Sequence, residues 1–334
     1  MEYLKVQREF AEDARRKLIR EDALEREHEI VHEGDHVLFP LKKKIEVAGC
    51  ETVEREGPLK TRKPRSLREA LEGKLSDEDL ANVPTSYNIV GDIAVLELDE
   101  KIMDKREVIA EALMDTFRNL KVVALKTEMV SGEYRTPTVE VIAGEKRTET
   151  LHREHGCLYK LDVSEAYFSP RLAAERRRVV DQMGRGEHLL VLFAGVGPYA
   201  ILAAKDADAK VTAVELNPKA VEYMRWNVRK NRVDVDVVEG DAREVTPSLG
   251  KFDRIIMPLP KLADTFLNVA VEALNPNGII HYYSFAHNTL EATGHLAEVL
   301  GAMGLRPDIL DAVECGSYSP CLSRYCADFR VESL

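Results

Sequence analysis

From residue 187 onward the chain alternates short apolar, β-branched runs with stretches of helical spacing. No other feature limits the fold as strongly. The runs are EHLLVLF (187–193), KVTAVEL (210–216), DVDVVEG (234–240), DRIIM (253–257) and GIIHYYSF (278–285), and PKAVEYMRWNVRKN is the clearest helix between them. Strands separated by helices form a parallel sheet covered on both faces. The expectation is an α/β, Rossmann-like domain over 166–334. A helix at TLEATGHLAEVLGAMG and an edge strand at YCADFRVE are expected to close it.

Sheets of this kind bind ligands at the C-terminal tips of their strands. The first run leads through Phe193 into AGVGPYAILAA, where Gly195 and Gly197 allow a tight turn and close backbone approach. The second ends at Glu215 and Leu216, placing a carboxylate where it can accept hydrogen bonds from ribose hydroxyls. The third ends at Asp241 and Ala242. The fourth stops on Pro258-Leu259-Pro260, a tongue that cannot continue sheet pairing because proline lacks a backbone donor. A dinucleotide oxidoreductase would show GxGxxG, but the residues here are G-V-G-P-Y-A, and no Lys-Ser/Thr phosphate loop is present. S-adenosylmethionine fits this set of tips best. The competing reading is that the acids only cap helices.

Two smaller parts precede this domain. Residues 1–58 read as a small α+β module: the strand EYLKVQ, the helical REFAEDARRKLIREDAL and the hairpin HEIVHEGDHVLFPL. A Pro-containing, basic stretch around 59–68 reads as a linker. Residues 65–165 read as a second α+β domain. SLREALEGKL is a Ser-capped helix, YNIVGDIAVLEL a strand pair, and VVALKTEMV and VEVIAG are strands. KREVIAEALMDTF is a helix with Val108, Ile109, Ala112, Leu113 and Phe117 on one stripe.

Composition narrows the function. The net charge of −11 argues against a uniformly basic nucleic-acid binder, yet LKTRKPRSLR and SPRLAAERRR are local basic patches. The five cysteines are scattered and odd in number, which reads as reduced thiols. His28, His32 and His36 surround a glycine turn, so no metal site is expected. No apolar run is long enough for a membrane helix, and the charged N-terminus lacks a signal core. A cytoplasmic monomer is expected.

The segments EAYFSPRLAAERRRVV, LFAGVGPYAI, VELNPKAVEYMRWN, GDAREV, IMPLPK and GIIHYYSF together resemble the archaeal–eukaryal tRNA (guanine(37)-N1)-methyltransferases. The likeness runs in order along nearly the whole chain. It implies a class I methyltransferase domain, an RNA-contacting middle domain and an N-terminal module that checks the tRNA elbow. It further implies S-adenosylmethionine as methyl donor and tRNA as partner, contacted at the anticodon stem-loop. Carried over by motif, Arg176 and the pairs Glu215–Leu216 and Asp241–Ala242 hold the cofactor. Arg135, Tyr167, Arg171 and Glu175 face the target base. Glu175 is the candidate general base for the ring N–H, against a bland alternative as a surface i, i+4 partner of Arg171. Arg135 suits stabilisation of the carbonyl oxygen, and Tyr167 suits stacking, or else core packing beside Phe168.

Two positions depart from the family. Val191 replaces an acid that usually precedes the Phe-Ala-Gly, and Pro258 replaces the asparagine of the usual Asn-Leu-Pro tongue. Some archaeal relatives with prolines at this tongue are linked to carbon methylation of a tricyclic wyosine precursor. A bifunctional enzyme, the related aminocarboxypropyl transferase of wybutosine synthesis, a non-enzymatic RNA chaperone and a small-molecule methyltransferase are the alternatives.

Overall fold

The computed structural model describes residues 1–59, 64–127, 138–319 and 321–333. The chain divides into two units, Met1–Arg65 and Ser66–Leu334. In the first, strands Glu2–Gln7, Val31–Glu33, His36–Pro40 and Glu51–Glu54 form one sheet, with Glu2–Gln7 central between His36–Pro40 and Glu51–Glu54. Ala14 and Leu18 lie one turn apart on helix Ala11–Arg20 and are buried with Leu4, Val6, Val37 and Phe39. The strand Glu51–Glu54 had no counterpart in the sequence pattern. Its side chains are almost all exposed, so it carries no apolar alternation.

The second unit opens with helix Leu67–Leu71, capped by Ser66, whose Oγ accepts from Glu69 N at 3.2 Å. A four-stranded sheet follows, in the order Asn88–Val90, Ile93–Leu96, Val122–Lys126 and Val139–Gly144. On helix Arg106–Thr116, Ile109, Ala112 and Leu113 are buried, but Val108 is exposed and does not belong to the stripe.

The hairpin Glu149–Glu154/Cys157–Asp162 packs on helix Pro218–Asn231. Asn227 and Asn231, one turn apart, answer two backbone groups each on alternate strand residues. Asn231 Oδ1 accepts from Leu158 N at 2.8 Å and its Nδ2 donates to Leu158 O at 2.7 Å. Asn227 does the same for Lys160, at 2.6 and 3.1 Å. Both amides thereby satisfy strand-edge groups that would otherwise stand unpaired near the core.

The remaining sheet has seven strands: β1 (His188–Leu192), β2 (Lys210–Glu215), β3 (Val235–Glu239), β4 (Phe252–Met257), β5 (Leu274–Ala286), β6 (Leu305–Ser319) and β7 (Leu322–Ser333). Their order is β3-β2-β1-β4-β5-β7-β6. The first five are parallel, as strand–helix alternation requires, and β7 runs antiparallel between β5 and β6. YCADFRVE is therefore an inner strand rather than the edge. Its residues Tyr325 to Phe329 are buried because β6 covers them on the far side. β6 was not expected at all: its side chains are mostly exposed, and its polar sequence hides it.

Candidate active site

The chain order reverses between β1 and β4, so their C-terminal ends open a crevice. The loop leaving β1 turns on three left-handed residues, Phe193 (φ +55°), Gly195 (φ +57°) and Gly197 (φ +87°). A Cβ on Gly197 would lie 2.9 Å from Met224 Cγ, so the glycine lets the loop close on helix Pro218–Asn231. Gly197 also caps helix Pro198–Asp206, and Pro198 fills its first turn.

Glu215 reaches into this loop. Its Oε2 accepts from Gly195 N at 2.7 Å and its Oε1 from Asn217 N at 2.9 Å. Burial raises its pKa, and the backbone donors of Asn217, Gly195 and Leu216 oppose that rise. With three backbone donors on it, the carboxylate keeps about one acceptor position. Asp241 behaves differently: it caps the short helix Ala242–Val245 by accepting from Arg243 N at 2.8 Å, and its carboxylate also pairs with the Arg243 side chain. The capping alternative thus describes Asp241 as it stands, while Glu215 holds the glycine loop. Leu216 is half-buried and Ala242 buried. Phe193 meets Phe266 edge-on at 4.7 Å. At the β4 tip, Leu259 N donates to Met257 O at 2.8 Å, closing a tight turn around Pro258, and Pro258 and Pro260 are both half-buried.

Helix Ala173–Asp181 supplies the acid–base groups. Glu175 is buried and makes no pair with Arg171, so the surface reading fails. Arg178 clamps it, Nε to Oε2 at 2.7 Å and Nη2 to Oε1 at 2.8 Å, and Tyr283 Oη donates to Oε1 at 2.6 Å. A carboxylate offers about four acceptor positions. Three are used here, which leaves one on Oε2. Arg178 also reaches Asp328 at 2.6 Å, and Asp328 accepts from Gln182 and from His281 Nδ1 at 2.6 Å. Arg254 Nη1 lies 2.8 Å from His281 Nε2; a guanidinium only donates, so Nε2 is the acceptor and the proton sits on Nδ1. Burial opposes the Asp328 charge, but His281 and Arg178 hold its pKa far below the carboxylate range. Burial lowers His281, and Arg254 and Arg178 reinforce that. His281, Cys326 and Asp328 have ligating atoms within 4.8 Å of one another, but the imidazole and carboxylate are already engaged in this network.

Arg176 was expected to hold the cofactor. It is instead 2% exposed and bound in fork geometry to Glu154 through two 2.6 Å bonds, with Ser169 O at 3.0 Å. Its guanidinium lies 5.1 Å from the centre of the Phe168 ring. Burial opposes the Glu154 charge, yet His152 and Arg176 bring its pKa down to about 2. Arg176 therefore fixes the Tyr167–Ser169 segment to the hairpin. Tyr167, 47% exposed, is not a packing residue; Phe168 takes that role against His152. Arg171 is exposed and forms no ion pair among the described residues. Arg135 lies outside the described residues, as do Lys60, Arg62 and Lys63 of the linker.

Sequence reasoning missed Arg178, Tyr283, His281 and Asp328. A signal existed. His281 and Tyr283 alternate with Ile280 and Tyr282 on one strand, and polar residues repeated on one face of a buried strand need partners.

A depression of about 430 Å³ lined by Lys251, Asn275, Asn277 and Val331 lies at the opposite edge, where β5 begins. No acid–base set converges there.

Residues 150–300 match the TRM5/TYW2 methyltransferase domain, residues 67–148 the TYW2 N-terminal domain and residues 4–48 the tRNA methyltransferase 5 N-terminal domain. Over 332 residues the chain is 40% identical to tRNA (guanine(37)-N(1))-methyltransferase Trm5b of Pyrococcus abyssi, covering 98% of both. The chain belongs to the TRM5/TYW2 methyltransferase family. Within it, Trm5b of Methanocaldococcus jannaschii is 34% identical over 293 residues, covering 84% of this chain and 85% of that one. Among solved structures, wild-type Trm5b from Pyrococcus abyssi superposes with a TM-score of 0.79 at 38% identity over 99% of both chains. A complex of aTrm5 with tRNALeu gives 0.82 at 30% identity, again over 99% of both. The seven-stranded order and the glycine loop are thus those of a methyltransferase family.

Proposed function

We propose that this chain transfers a methyl group from S-adenosylmethionine to N1 of guanosine 37 in tRNA, 3′ of the anticodon. The observation that carries the reading is Glu175, a buried carboxylate held by Arg178 and Tyr283 with one acceptor position left. The full-length likeness to enzymes named for this reaction supports it.

The residues present fit the cofactor. Gly195 and Gly197 present bare backbone to the crevice, and the Glu215 carboxylate at the next tip suits a ribose hydroxyl. Phe193, Leu216, Ala242, Pro258 and Pro260 line the surrounding tips. When bound, S-adenosylmethionine supplies an electrophilic methyl on a sulfonium sulfur. Glu175 accepts the N1 proton of guanine at Oε2 as N1 takes the methyl. Arg178 and Tyr283 hold the carboxylate in place, so no reorganisation is needed at the moment of transfer. Tyr167 stacks on the base after it leaves the helix. Arg135 and Arg171, carried over from the family pattern, face the target base, Arg135 at its carbonyl oxygen.

The test is incubation with labelled cofactor and tRNA bearing guanosine or the tricyclic precursor at position 37, then nucleoside identification. 1-Methylguanosine supports the reading. Methylation of the precursor alone replaces it with the carbon reaction that Pro258 raised.

A further inference from the structure

The crevice has a second wall that none of the roles above uses. At the end of β5, Phe285 lies 4.3 Å from Tyr318 of β6, their rings tilted by 40°. The Arg324 guanidinium, at the start of β7, sits 5.7 Å from the centre of Phe285, and its Nη2 lies 3.4 Å from Tyr167 Oη. Arg324 Nε is shielded from solvent and has no hydrogen-bond partner. Lys261, one residue past the tongue, holds its ammonium 5.5 Å from the Tyr318 ring. Tyr318 is 49% exposed although it packs on one side.

Two aromatic rings and two cations thus stand together at one rim. A ring held by a neighbouring ring yet half exposed offers a stacking platform. Cations beside it suit a chain with a phosphate at each residue. The Arg324–Tyr167 contact joins this wall to the place of the target base. When guanosine 37 leaves the stack, its neighbour loses a stacking partner. We propose that Phe285, Tyr318, Arg324 and Lys261 form a subsite for the nucleotide adjoining the flipped guanosine, its base on Tyr318 and its phosphate on Arg324. This rests on the tRNA reading above.

The test is a double-mutant cycle. Tyr318→Ala removes an exposed ring, and Tyr318→Phe keeps it. Each is assayed with tRNA carrying an intact or an abasic nucleotide immediately 5′ or immediately 3′ of guanosine 37. Tyr318→Ala is expected to raise KM for intact tRNA by roughly tenfold, the loss of one base stack. S-adenosylmethionine affinity should stay unchanged, the melting temperature should fall by no more than a few degrees for the lost Phe285 contact, and Tyr318→Phe should stay within about twofold of wild type. At one neighbour, the abasic substitution should cost wild type about as much and cost Tyr318→Ala nothing further. Arg324→Gln should lower the slope of log affinity against log salt by about 0.7, one single-strand phosphate contact. Additive effects at both neighbours, or an unchanged KM, overturn the subsite. Wild type failing to methylate tRNA at all would instead sink the proposed function.

Discussion

Arg176 and Arg178 stand two residues apart on one helix and do opposite jobs. Arg176 pairs with the single carboxylate of Glu154, also meets Ser169 O, and ties the helix to the hairpin Glu149–Asp162. Arg178 is shared between Glu175 and Asp328, and so belongs to a chain of groups that reaches Arg254 and Glu187 under the sheet. Between them, Arg177 is half-buried and pairs with Asp181 and Asp206 nearer the surface. Three like residues in a row thus become a clamp, a support for a reacting group and a surface charge. What separates them is the helical 100° turn per residue and what each face packs against. The paired arginine joins helix to hairpin, whereas the shared one draws Glu175 and Asp328 into a single network.

The sharpest way to break this comparison is Glu175→Gln. Methyl transfer should fall by about 10²–10⁴ in kcat while tRNA affinity persists, measured by single turnover and by equilibrium binding. Arg176→Ala should leave Glu154 buried and unpaired, costing about 3–5 kcal/mol in denaturant unfolding. A loss of turnover without loss of stability would make Arg176 a cofactor ligand after all.

Next comes acid stability. Glu154 has a folded pKa of about 2, below its unfolded value, so its contribution is present above about pH 4.3 and is lost as pH falls toward 2. Stability measured across that window should decline less in Glu154→Gln, which starts lower. The smallest effect is expected of Arg177→Ala, within about 1 kcal/mol by the same unfolding assay, because its partners are exposed.

Much of the catalytic sheet was legible because its parallel strands are buried on both faces and read as apolar runs. The glycine loop and Glu215 followed from the same periodicity. β6 and Glu51–Glu54 were not legible, since exposed strands carry no such pattern. The site residues divide the same way. Glu175 was reachable through motif and its clamp Arg178 lies three residues on, but Tyr283 is 108 residues from Glu175 and Asp328 150 from Arg178, separations that no local spacing announces. Arg176 misled because an arginine in a basic run reads as available for a ligand, and only Glu154, on a distant hairpin, shows that it is engaged.

The most direct measurement is mass identification of the nucleoside formed on two tRNA transcripts that differ only at position 37, guanosine or adenosine. The account predicts 1-methylguanosine from the first with purified chain and S-adenosylmethionine, and no methylated nucleoside from the second. A methyl group on any other nucleoside, or none on either transcript, would contradict it.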